Sequence, residues 1–214
     1  MMEYLSGIKE ISLLIGIWVA IYGIDSWRRE HKGKREIELA EDSLALFYEA
    51  IDVIKQIRHP VSNSIETKDI VRGKNENEAQ FQARKDASVV YSRFNKHQEL
   101  FNKIYASRYK FMSQIGKDES KPFDDLRLIT DEILFSARML SKLWARDNFR
   151  NDEHWEHHIA QLEKYESIFW DELDKDDLIN NKLDLVISSI EATCKSVIAG
   201  NDTLHGILNK RLGK

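Results

Sequence analysis

The chain has 214 residues, enough for one globular domain with an appendage, and its 42% hydrophobic and 32% charged residues supply both a core and a charged surface. Two prolines and nine glycines exclude a turn-rich β architecture, and a single cysteine excludes a disulfide framework or a multi-cysteine zinc site. The net charge of −4 makes the chain a poor general nucleic-acid binder, because phosphate affinity is supplied by Lys and Arg.

The first predicted element is a transmembrane helix. Residues 11–24 (ISLLIGIWVAIYGI) carry no charge, and extending the stretch to residues 4–27 adds Tyr4 and Trp27 as interfacial aromatics. Lys9 and Glu10 lie near enough to one end to snorkel. A basic collar follows over residues 28–35: Arg28, Arg29, Lys32, Lys34 and Arg35. Charge after the apolar run, with no small-residue cleavage site, argues against a cleaved signal peptide. The positive-inside rule then implies a single-pass protein of the bacterial inner membrane, its N-terminus outside and its C-terminal domain cytoplasmic. Ser12, Gly16 and Ala20 recur every four residues, with Gly23 nearby, a small-residue stripe that predicts close packing of neighbouring spans and a homo-oligomer.

Beyond the collar, Ile37, Ala40, Leu44, Phe47, Ile51 and Ile54 alternate at spacings of three and four, the seam of a helical bundle. Gly33 is the one weak point between this helix and the anchor, so a continuous rod is possible until Pro60 ends it. Residues 59–79 are polar and aperiodic and predict a mobile loop. A second long helix is predicted over residues 79–115, closed by Gly116, and a third over 123–146 with Ser120 as N-cap and Pro122 in its first turn. A fourth starts at Asn151 or Asp152 and carries Trp155, Ile159, Leu162, Phe169 and Leu173 on one side; a fifth covers 176–199, places Cys194 as an inert core thiol, and stops at Gly200. The expected fold is therefore all-α: an N-terminal single transmembrane helix (residues 1–27), the collar (28–35), a cytoplasmic antiparallel helical bundle (36–200) and a short basic tail (201–214).

No phosphate loop, nucleophile elbow, zinc-binding helix motif or dinucleotide fingerprint is present, and no cofactor is expected. The stretch RDNFRNDEHWEHH over residues 146–158 holds the candidate chemistry. Arg150 is followed at once by Asn151 and, six residues intervening, by His157. This arrangement resembles the signature of HEPN ribonucleases, bundles that pair to form a composite RNA-cutting site. The resemblance implies that Arg150 would hold phosphate and His157 would move a proton, with Asn151 as the polar member between them. The alternative reading is a solvated, capped helix start with Trp155 turned inward. His154 and His158 form an i, i+4 pair, but no third ligand stands at suitable spacing and no metal is assigned.

One N-terminal span, a helical domain and a HEPN-like motif together look like the membrane-embedded accessory proteins of type VI CRISPR systems. That resemblance implies a self-assembling, pore-forming antiphage protein whose partners are the lipid bilayer and its own copies. Two classes of function follow from the sequence. One is a non-enzymatic membrane effector or scaffold, with a protein or RNA partner at its cytoplasmic domain. The other is a tethered HEPN-type ribonuclease using Arg150 and His157.

Overall fold

The fold is seen in a computed structural model that describes residues 2–149, 151–173 and 176–199, and of residues 2–12 the helical backbone alone. The described residues form seven α-helices and no strand. The first, α1, runs unbroken over Met2–Arg58, 57 residues, so Gly33 does not interrupt it. At 1.5 Å per residue it is about 86 Å long. The others are α2 (Glu78–Lys96), α3 (Gln98–Gln114), α4 (Lys121–Leu143), α5 (Asp152–Glu156), α6 (Ile159–Phe169) and α7 (Leu178–Ile198).

The bundle is built round the C-terminal half of α1 and the amphipathic α4. α1 packs on α7, α3 and α2, while α4 packs on α2, α6 and α7. The buried seam of α1 is Ala40, Ser43, Phe47, Ala50, Ile54 and Ile57, turned by a fraction of a turn from the expected one. Ala40, Phe47 and Ile54 are shared by both, whereas Leu44 and Ile51 are half-buried at the core's edge. The seam is thus filled by the chain's own helices. Phe47 meets Phe123 of α4 edge-on at 4.9 Å, and Phe123 lies 5.1 Å from Phe111 of α3.

The expected transmembrane helix is corrected. Among the described side chains, the uninterrupted apolar run covers residues 13–24, about 18 Å of helix against a hydrocarbon core of about 30 Å. Asp25 closes the run, bonded to Arg29 at 2.6 Å, and the basic residues follow. No helix among the described residues is long and apolar enough to cross a membrane.

Other boundaries also move. The helix expected over 79–115 breaks at His97, because α2 packs mainly on α4 while α3 packs on α1, and one straight rod cannot serve both. Phe94 and Phe101 stack across the break at 4.8 Å. The fourth helix divides into α5 and α6 at His157 and His158, where the His158 N–H reaches back only to the Trp155 carbonyl. Ser120 stands before α4 but caps nothing; its hydroxyl donates to the Lys117 carbonyl, while Pro122 sits in the first turn as expected.

The connection after α1 is pinned at several points rather than loose. A 3-10 turn, Ser64–Thr67, opens with a capping box at Asn63. Arg93 of α2 grips this turn through both oxygens of Glu66, at 2.9 and 3.0 Å, and donates to the carbonyls of Ile57, His59 and Val61. Farther on, Arg84 binds both oxygens of Glu76 at 2.7 Å. A polar, aperiodic sequence is what such a connection looks like when side chains rather than a core hold it.

A second guanidinium closes the same end of α1. Arg58 is fully buried and makes a two-pronged pair with Asp177, at 2.9 and 2.8 Å. It also donates to the carbonyls of Ile168, Ser167 and Trp170. Asp177 in turn caps α7 through the Asn180 N–H. One charge pair therefore joins the end of α1, the end of α6 and the start of α7.

Candidate interaction surface

The N-terminal half of α1 extends beyond the bundle, and of the described chain only the last turn of α3 comes near it, at its base. From residue 13 to residue 32 every position is exposed, and burial begins at Gly33. Ten large apolar or aromatic side chains lie there, from Leu13 to Trp27, with exposures between 49% at Ile17 and 67% at Trp18. Their ring contacts among the described residues are with their own helix: Trp18 stacks on Tyr22 at 5.6 Å, and Trp27 meets His31 at 4.9 Å. A surface helix normally keeps one polar face, whereas a helix apolar all round is covered on all sides. Residues 13–24 leave no polar face.

The small-residue stripe lies within this half. Gly16 and Gly23 have open space where a Cβ would stand, and Ala20 is exposed. Ser12 belongs to the helix, but its side chain lies outside the described residues.

The collar forms the base of the projecting half, and i, i+4 pairs run along it. Arg29 bonds Asp25 at 2.6 Å, Lys32 lies 3.5 Å from Glu36, and Lys34 lies 3.9 Å from Glu38. Among the described residues neither Arg28 nor Arg35 is paired with a carboxylate.

The HEPN-like motif sits at the junction of α4, α5 and α6. Arg150 lies outside the described residues. Asn151 is the N-cap of α5, its side chain accepting the His154 N–H at 2.9 Å, which is the capped helix start that the sequence offered as the alternative. His157 is exposed at the other end of α5. The histidines beside it are packed: the rings of His154 and His158 lie 4.8 Å apart, and Phe149 rests on both. His158 Nδ1 is 2.7 Å from the His154 carbonyl, and a carbonyl can only accept, so the ring proton lies on Nδ1. Trp155 is half-buried under Phe149, with the Arg146 guanidinium over its ring at 5.8 Å. No group of three possible metal ligands comes together among the described residues.

Sequence reading missed the two buried guanidiniums, Arg58 and Arg93. Their one sequence cue was position, since Arg58 ends the seam just before His59 and Pro60. No known protein family, no curated protein and no solved structure matches this chain at a significant level.

Proposed function

We propose that this protein is a non-enzymatic assembly module whose copies associate through the apolar N-terminal half of α1, each presenting its own helical bundle. One observation supports this reading: a helical segment, apolar on every face over residues 13–24, projects from a bundle whose own seam is already filled. Covering its nine large side chains, with Trp27 beyond them, releases free energy on the order of 10 kcal/mol, at about 1 kcal/mol or more each. Association of two bodies costs about 4–15 kcal/mol, so a pair that covers one face gains little. An assembly of more than two helices, in which each segment is largely enclosed, gains more. Gly16 and Gly23, open at their Cβ positions, allow the backbones to approach closely. A pore requires spanning helices and is no part of this proposal.

The test is the mass of the full chain in a mild non-ionic detergent, measured by light scattering or sedimentation. More than two copies per particle are expected, and a chain lacking residues 1–27 should be a single copy with its helical signal retained. One copy per particle for the full chain overturns the reading. If that single copy floats with phosphatidylcholine vesicles, lipid covers the segment instead.

A further inference from the structure

Where the projecting half of α1 joins the bundle, the last turn of α3 comes against it and a cleft of about 620 Å³ opens between them. This lies within the range of about 300–1,000 Å³ typical of ligand pockets. The α1 wall carries Arg28, Arg29, Lys32 and Arg35; from α3, Gln114 supplies a neutral amide, and Ser113, its hydroxyl donating to the Lys110 carbonyl at 2.9 Å, forms an uncharged wall. Arg28, Lys32 and Arg35 recur at spacings of four and three, so they share one helix face.

Two carboxylates also line the cleft, Asp25 and Glu36, and each is already engaged, by Arg29 and Lys32 respectively. The C-terminus of α3 adds about half a negative charge. Four cationic groups against two carboxylates and this partial charge leave the cleft positive. The excess rests on Arg28 and Arg35, the two guanidiniums without a carboxylate partner among the described residues. A guanidinium offers a planar fork of donors that fits two oxygens of a phosphate at once.

We propose that this cleft is a phosphate-binding site, with Arg28 and Arg35 as the principal donors and Ser113 and Gln114 closing it from α3. The phosphate comes either from a soluble anion or from an anionic lipid headgroup; the chemistry of recognition is the same for both. The phosphate donors lie outside the apolar run of residues 13–24, and Trp27, at the edge of the projecting surface, also lines the cleft.

The full chain in non-ionic detergent is titrated with pyrophosphate by calorimetry, and in parallel is floated with phosphatidylcholine vesicles with and without phosphatidic acid. Saturable pyrophosphate binding assigns the site to a soluble anion, and binding only to the phosphatidic acid vesicles assigns it to a headgroup. In whichever arm binds, Arg28→Gln and Arg35→Gln should each weaken it about tenfold, the value of a charge-assisted hydrogen bond. Lys34→Gln removes the same charge from the collar, but Lys34 does not line the cleft and should change affinity less than twofold. Ser113→Asp, on the opposite wall, should weaken binding as much as the arginine variants. Absence of binding in both arms overturns the proposal. So does equal weakening by Lys34→Gln and Arg35→Gln, or indifference to Ser113→Asp, since either result describes a charged stripe rather than a cleft.

Discussion

The buried pair of Arg58 and Asp177 is where single atoms matter most to this bundle. Removing one partner leaves the other charge buried and unpaired, so Arg58→Ala should cost about 3–5 kcal/mol in urea unfolding. Burial acts to raise the pKa of Asp177, but the Arg58 guanidinium and the backbone N–H groups of Asn180 and Glu172 outweigh it and hold the carboxyl below its ordinary value. A folded-state pKa below the unfolded one gives stability that is present above about pH 4 and lost as pH falls through the folded value. Urea midpoints should therefore hold down to about pH 4 and then drop, with a shallower drop in Asp177→Asn. Glu76, held down to about 2 chiefly by Arg84 and also by the Gly73 N–H, adds to that loss at acid pH. Ser43 is fully buried and its hydroxyl has no partner among the described residues, so Ser43→Ala should raise stability by about 1 kcal/mol in the same assay. Cys194 was legible from the sequence as a core thiol: it is fully buried, and burial pushes its pKa up to about 11. A thiol reagent should label it only as the protein unfolds. Arg58 and Ser43 were not legible, because a terminal arginine and a serine beside a leucine both read as solvent-facing until the partner helices are in place. For the HEPN-like motif, the assembly reading expects Arg150→Ala and His157→Ala to leave both oligomer size and any effect on RNA unchanged; RNA cleavage lost in both variants would favour the ribonuclease reading instead.

At the scale of elements, apolar spacing located every long helix, and the errors lie at the joints. The break at His97 and the division at His157 are set by which neighbour each half packs against, information that a 3.6-residue period does not contain. Gly116 does close α3, its N–H reaching the Phe111 carbonyl at 3.1 Å. The polar stretch over residues 59–79 predicts a loose loop because the partners that hold it, Arg84 and Arg93, lie on α2, away in sequence. α1 carries the opposite lesson, since its continuity was legible from the absence of any breaker stronger than Gly33. A Cβ at Gly33 meets nothing within 4 Å, so Gly33→Ala should strengthen the rod by about 0.5–1 kcal/mol, seen as slower amide exchange over residues 28–38.

For the whole molecule, the apolar half and the bundle are separate in their contacts although one helix joins them. Burial begins only at Gly33, so deleting residues 1–27 should leave the thermal midpoint of the bundle within a few degrees of its value in the full chain. The spanning expectation failed on length. The run looked long enough when flanking residues were added, but the side chains described as apolar and continuous stop at Ile24, and Asp25 is tied to Arg29 beside it.

An unbroken α1 also fixes a phase between its two ends. Each residue of helix turns the chain by about 100° and advances it 1.5 Å, so inserting one alanine at the collar would swing the bundle round the axis of the apolar half while barely moving it outward. Seven inserted alanines return it to within about 20° of its original bearing, some 10 Å farther out. Bundles that meet their neighbours in register would lose that meeting with one insertion and regain the direction, though not the height, with seven. The clamp at Arg58 and Arg93 makes the far end follow, so the helix works as an axle whose angle is written in its residue count.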